Sequence, residues 1–434
     1  MQAYRAAIFH MLEDPATSEH LPYAFHPDGL LLVENGLVQA VGDYADLAPR
    51  LGNAPVQAFP GRIITPGFVD LHVHFPQVDM IAAHGAQLLD WLERHTFPAE
   101  AAFADPAHAG EAAQFFVSEL LRNGTTTALV FGSSHKGSVD ALFAEALARN
   151  MRLIAGKVLM DRHAPASVRD TVEDGRRDTL DLIAAWAGKG RLGYAVTPRF
   201  FITSSDAQLA MAGQILADHP DVLMQTHMAE NLDEVSQVAG LFPKARDYLN
   251  VYERFGLVGA RSVFAHCIHL DDDAFARLGA AGSAAAFCPT SNLFLGSGLF
   301  DLKRACDHGV KVGVGTDIGA GTSFSVLHTL GEAYKVIQLG GRALDPFQAF
   351  YLATLGGARA LGLGDRIGNL AAGKEADFVV LDPAATPLLA RRLSRPMPLA
   401  ERLFALMVLG DDRVVEHTFL AGEPSHSRDG DRSE

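Results

Sequence analysis

Residues 66–74 read Pro66-Gly67-Phe68-Val69-Asp70-Leu71-His72-Val73-His74. A Pro-Gly turn leads into an apolar run, which predicts a turn followed by a buried strand. On a strand, residues i and i+2 share a face, so His72 and His74 project side by side. Two imidazoles so placed at a strand end are able to chelate one cation. The pair alone also fits two unrelated histidines. The turn-then-strand context favours chelation, and the rest of the chain decides the architecture around it.

Working outward, similar apolar runs recur at 125–130, 153–159, 193–196, 222–227, 262–266, 284–288 and 311–315. Between them lie segments of helical period, at 110–122, 139–149, 171–187, 207–217 and 324–339. Counting the first run, eight strands alternating with helices define an α/β chain. A (β/α)8 TIM-type barrel is the expected fold, with a doubly wound parallel sheet as the competitor. The two ends differ from this middle. Runs at 30–33 and 37–41 flank Glu34-Asn35-Gly36, a hairpin signal, and short β-like runs return at 377–381 and 414–420. The expected organisation is a barrel over 66–370. A small β-sandwich is expected from both termini, 1–65 and 371–434, with a frayed polar tail from Gly422 onward.

Composition narrows the function. The chain has 434 residues, and Lys+Arg 36 against Asp+Glu 51 gives a net charge of −15. That balance argues against nucleic acid as a partner, because a phosphate-tracking surface needs clustered cations. Three widely spaced cysteines, Cys267, Cys288 and Cys306, form no disulfide framework and fit a reducing, cytoplasmic compartment. No run reaches the roughly 18 apolar residues of a membrane span, and the N-terminus lacks the features of a secretion signal.

Four strand ends carry the chemistry. His72 and His74 close the first run, His227 closes the fifth, with Glu230 three residues on, and His266 closes the sixth. Asp317 follows the eighth. Each has a plainer reading: Glu230 as a helix-start carboxylate, His266 as a core histidine, Asp317 as a helix cap. A barrel, however, gathers the C-terminal ends of its strands into one ring. Several imidazoles and one carboxylate suit Zn²⁺, with Fe²⁺ as the alternative. A catalytic site keeps a position for water, so one of four protein donors must be weak or shared with that water.

With these elements the chain resembles the amidohydrolase superfamily. The carriers are PGFVDLHVH, the strand-end His227 and His266, the GTD ending at Asp317, and LGDRIGNLAAGKEADFVVLD at 363–382. Within the superfamily it is similar to the guanine deaminases. The shared runs are HVHFPQ (72–77), LLDWLERHTFPAE (88–100), VTPRF (196–200), HMAENLDEV (227–235), FCPTSNLFLGSG (287–298) and GTDIGAG (315–321). The WLERHTFPAE and TPRF runs are the more specific; HxH and GTD are superfamily-wide. One departure is Ala229, where the family usually has Ser, which leaves Glu230 and Asn231 in place.

The resemblance implies hydrolytic deamination of guanine to xanthine and ammonia by a metal-activated water, in purine catabolism, by a cytoplasmic homodimer. It implies one metal per chain, Zn²⁺ or Fe²⁺, on His72, His74, His227 and Asp317. Asp317 would accept the water's proton, Glu230 would protonate the ring nitrogen, and His266 would stabilise the attacking oxygen. Substrate contacts would come from His74, Gln77, Trp91, Arg199, Phe200, His227, Glu230 and Asp317, with Arg199 donating to guanine O6. The fourth run has no lysine to bridge two metals, since Lys157 belongs to the third. The competing readings are a related deaminase of oxidised guanine, pterin or triazine, a binuclear cyclic-amide hydrolase, and a non-catalytic scaffold.

Overall fold

The structure, a computed structural model, describes residues 1–85 and 87–428. The central element is a ring of parallel strands: β5 (Phe68–His74), β6 (Thr125–Phe131), β7 (Arg152–Gly156), β8 (Val158–Leu159), β9 (Gly193–Pro198), β10 (Leu223–Met228), β11 (Ser262–His266), β12 (Ala284–Phe287) and β13 (Lys311–Val314). Spatial order follows chain order from β5 to β13, with the short β8 pairing only with β9. Helices follow most strands and cover the outside of the ring. Thr171, Ser205, Asn231, Asp271 and Ser325 cap five of them with side-chain oxygens. This is the (β/α)8 arrangement rather than an open doubly wound sheet.

The expected third strand, 153–159, is broken in two at Lys157. At Gly156 an added Cβ would lie 1.8 Å from the carbonyl oxygen of Ala195, so β7 crowds β9 there and only glycine fits. Beyond it Lys157 is buried and ion-paired with Asp170.

The ring closes between its first and last strands through the segment just after β13. The Asp317 N–H donates to the His72 carbonyl at 2.8 Å, and the His74 N–H donates to the Ile318 carbonyl at 2.9 Å. Asp70, fully buried, clamps this seam. Its Oδ1 accepts from the backbone N–H groups of His72 and Thr316, both at 3.1 Å, and its Oδ2 accepts from the Thr316 hydroxyl. Burial raises the Asp70 carboxyl to about 6, against the pull of those donors. Asp70→Ala is expected to cost about 1–3 kcal/mol for each buried donor left unpaired. A urea titration reads this, and an unchanged midpoint would remove the clamp.

The chain ends meet in one seven-stranded mixed sheet. Its strands are β1 (Gln2–Met11), β2 (Tyr23–Glu34), β3 (Leu37–Asp43), β4 (Val56–Pro66), β14 (Phe378–Leu381), β15 (Val415–Leu420) and β16 (Glu423–Ser427). β14 lies antiparallel to β4, and this pairing joins the two termini. Asn35 and Gly36 both take positive φ (54° and 77°), as a two-residue hairpin turn between twisted strands requires. Tyr4, Phe378 and Phe419 interlock at centroid distances of 4.4–5.1 Å in the sheet's core.

The polar tail expected from Gly422 is ordered in its first part. Glu423–Ser427 forms the edge strand β16, paired antiparallel with β15. Its residues are polar and half-exposed, so backbone bonding sets the pairing and no apolar alternation marks it. Residues 429–434 lie outside the described residues. Among the described residues no helix is long and apolar enough to cross a membrane.

Candidate active site

The C-terminal ends of β5, β10 and β11 and the turn after β13 bring His72, His74, His227, His266 and Asp317 together. The Nε2 atoms of His72 and His74 are 3.2 Å apart, as are those of His74 and His227. Asp317 Oδ1 lies 3.2 Å from Nε2 of both His72 and His74. Tetrahedral coordination with arms of about 2.0–2.1 Å has edges of about 3.3 Å, so these spacings fit one small divalent cation.

Protonation agrees with that fit. His227 donates its Nδ1–H to the Arg199 carbonyl at 2.7 Å, which leaves the Nε2 lone pair facing the cluster. Burial pushes the His72 and His227 imidazoles below their ordinary range and His74 down to about 3, which favours the neutral form in all three. Burial alone would raise the Asp317 carboxyl, but His72, His74 and His266 outweigh it and hold the group well below the usual range. Lone pairs and a carboxylate facing one another in a dry site call for a positive charge among them. Lys157, turned to Asp170, does not reach this cluster to bridge a second metal.

The backbone turns sharply where these side chains leave their strands. Ala229, His266, Cys267 and Asp317 have φ of 51°, 71°, 53° and 53°. Such left-handed conformations cost energy in non-glycine residues and cluster at functional sites. They turn the strand-end side chains into the ring mouth.

Glu230 stands beside the cluster, with Oε2 3.5 Å from His266 Nε2 and Oε1 accepting from the Ser297 hydroxyl at 3.2 Å. Burial, and then the negative Asp317, raises its carboxyl to about 8. The helix-cap alternative goes to its neighbours. Asn231 caps helix Leu232–Leu241, and the Glu234 carboxylate takes the N–H groups of Glu230 and Asn231. Glu230 is thereby left to face the mouth. His266 donates Nδ1–H to Asn292 Oδ1 at 2.9 Å. Its buried Nε2 has no hydrogen-bond partner and lies 3.7 Å from Asp317 Oδ2.

The same cavity is lined by Arg199 and Phe200, which follow β9, and by Gln77 and Trp91, from the segment after β5. Of the ten residues expected from sequence, nine line one cavity, and His72 joins them through the imidazole cluster. Leu88 and Leu92 add apolar wall. Several participants were not anticipated: Asp70 in the seam, Asn292 behind His266, Ser297 on Glu230, Glu234 under the helix start, and Glu100. Glu100 holds Arg199 Nη1 with both carboxylate oxygens at 2.8 Å. The only sequence signal for Glu100 is its place at the end of the LLDWLERHTFPAE run. His269 meets the Ser297 carbonyl at 2.8 Å and anchors the loop that carries Ser297.

Residues 63–424 match the amidohydrolase family. The chain belongs to that family. It is 51% identical to the guanine deaminase of Escherichia coli (strain K12) over 405 residues, 93% of this chain and 92% of that protein. The fold matches the structure of E. coli guanine deaminase with a TM-score of 0.97 at 49% identity, over 99% of this chain and 100% of the other. It matches guanine deaminase from C. acetobutylicum with bound guanine in the active site at a TM-score of 0.89 and 28% identity, over 98% of this chain and 99% of the other.

Proposed function

We propose that this chain hydrolyses guanine to xanthine and ammonia. The observation that carries the reading is the cavity itself. It sets an imidazole and carboxylate cluster spaced for one cation beside Arg199, Gln77 and flat apolar side chains. His72, His74, His227 and Asp317 would hold one Zn²⁺ per chain, with Fe²⁺ as the alternative the donor set also suits. When bound, such a cation lowers the pKa of a coordinated water toward about 7 and so supplies a nucleophile at neutral pH.

The chain's own groups do the rest. Arg199 offers fixed donors and no acceptor to the purine O6, whereas a 6-amino group would meet it donor to donor. Gln77 reads a neighbouring edge, and Phe200 and Trp91 hold the ring plane. Asp317 takes a proton from the attacking water through its Oδ2 side. Glu230, protonated at neutral pH, gives its proton to the ring nitrogen next to C2, so the C=N bond accepts the new C–O bond without building a full negative charge. Its carboxylate then takes the proton of the new C2 hydroxyl and passes it to the 2-amino group, the C–N bond breaks to release ammonia, and the proton held on Asp317 restores Glu230. His266, whose Nδ1–H is held by Asn292, presents its Nε2 lone pair to the O–H of the incoming water and so orients the attacking oxygen. We place this activity in the cytoplasm, in purine breakdown. Free, unpaired Cys267, Cys288 and Cys306 support a reducing compartment. We assign a homodimer on the family resemblance, and sedimentation velocity tests it.

Two measurements test the reading. A substrate-product difference spectrum with guanine, alongside a metal count, should show xanthine with stoichiometric ammonia and one metal per chain. A metal-loaded protein inert to guanine but active on 8-oxoguanine, a pterin or a triazine would move the assignment to that substrate. The second is the pH profile. Glu230 must hold its proton to donate it, and it releases that proton as pH rises through about 8. The kcat/KM for guanine should therefore fall on the alkaline side with a midpoint near that value. A flat profile well above pH 9 would take the donor role from Glu230.

A further inference from the structure

Glu100 lies in helix Phe97–Ala101, fully buried, and is not among the residues lining the cavity. An ionised carboxylate in that position is costly unless paired. It has two partners, and both are the groups read above as recognising the purine. Arg199 Nη1 sits 2.8 Å from each carboxylate oxygen. Gln77 Nε2 donates to Glu100 Oε1 at 3.0 Å. The Gln77 amide is held at its other end as well, where Oε1 accepts the Gly319 N–H at 3.1 Å. The amide therefore has one allowed orientation, with nitrogen toward Glu100 and oxygen toward Gly319.

We propose that Glu100 is a positioning residue that aims Arg199 and Gln77 at the purine's oxo edge and thereby sets the preference for a 6-oxo over a 6-amino purine; this rests on the guanine reading above. With Nη1 committed to Glu100, the guanidinium plane is fixed and its other N–H groups project as a rigid donor edge. Phe97, one turn before Glu100, lies under the same guanidinium, with Arg199 Cζ 5.6 Å from the ring centroid. The pairing also cancels the charge of Arg199, so the recognition wall does not set a free cation against the cation held by the imidazole cluster. Gly319 is two residues beyond Asp317, so the same short turn that carries a metal-binding carboxylate also orients the Gln77 amide.

The test compares guanine with 2,6-diaminopurine, which carries the same reacting 2-amino group but presents a 6-amino group and an unprotonated N1 where guanine presents O6 and N1–H. It uses the metal-loaded full chain as wild type, Glu100→Gln and Glu100→Asp, with metal content and melting temperature measured for each. Wild type is expected to prefer guanine. Glu100→Gln should lower kcat/KM for guanine by about 100-fold, mainly through KM, with 2,6-diaminopurine falling less than about tenfold and one metal per chain retained. Glu100→Asp, which keeps the charge but withdraws it by one methylene, should recover part of the preference. Equal losses for the two substrates, or no loss for guanine, would overturn the proposal and leave the guanine reading standing. Should Glu100→Gln lose its metal or melt early, the Glu100→Asp ratio alone decides by the same criterion. A wild type inert to both purines despite bound metal would instead overturn the guanine reading, and this proposal with it.

Discussion

Glu230→Gln is expected to lower kcat for guanine by roughly 10²–10⁴-fold, the span over which a positioned proton carrier contributes. The amide matches the carboxyl in shape and still accepts from the Ser297 hydroxyl through its oxygen, so the cavity is preserved. The imidazole cluster and Asp317 are untouched, so metal content should remain one per chain and KM should move little. What disappears is the transferable proton held at neutral pH by burial and by the negative Asp317. The same substitution should raise stability. The folded carboxyl sits at about 8 against an ordinary 4.5, so between those values the folded protein binds a proton that the unfolded chain has released. Stability therefore falls as pH rises from about 4.5 to about 8 and stays lowered above that. Gln does not carry this cost, so the variant should melt higher than wild type at pH 8 while turning over far more slowly, a trade expected of functional groups. Stopped kinetics with no gain in melting temperature would mean that Glu230 is not held protonated in the folded state.

Arg199→Ala carries the second large effect, in two parts. The first is recognition. Loss of charge-assisted donors to O6, at about 1.5–3 kcal/mol each, should reduce kcat/KM for guanine by roughly 10²–10³-fold. The second is stability. Removing Arg199 leaves Glu100 buried with only Gln77 beside it, and breaking a buried pair from one side costs about 3–5 kcal/mol. Metal binding should nonetheless survive, because the group that orients His227 is the backbone carbonyl of Arg199, which alanine retains. The expected pattern is thus a full metal count, a lower melting temperature and a large loss of guanine turnover. Arg199→Lys should not rescue turnover, since a point ammonium cannot reproduce the planar fork. Normal guanine kinetics in Arg199→Ala would remove Arg199 from the recognition wall.

The parts of the molecule that were legible in advance share one property: their signals are local. The Asn35-Gly36 turn between apolar runs became the β2–β3 hairpin because both residues tolerate positive φ. The barrel strands could be read because strands buried on both faces are continuous apolar runs, and their ends differ from the expected ranges by a residue or two. Parts that were not legible depend on distant neighbours. Strand β16 is polar and pairs through its backbone. The split at Lys157 follows from how closely β7 approaches β9 at Gly156. Asn292 meets His266 from 26 residues away, and Ser297 meets Glu230 from 67. Glu100, a glutamate on a short helix, looks like any surface carboxylate until Arg199 arrives from 99 residues further on.

What the chain determined by itself is the set of side chains able to hold a cation and their placement at strand ends, because the two-residue period of a strand and its flanking turns are written in adjacent residues. Only the tertiary structure decided that these ends share one mouth at 3.2 Å spacings, that Asp70 closes the seam, and which carboxylate orients Arg199. The physical reason is that ring closure and burial act on residues far apart in sequence. The energy of a buried ligand, acid or ion pair is set by the partners the fold supplies, and neighbouring letters do not encode them.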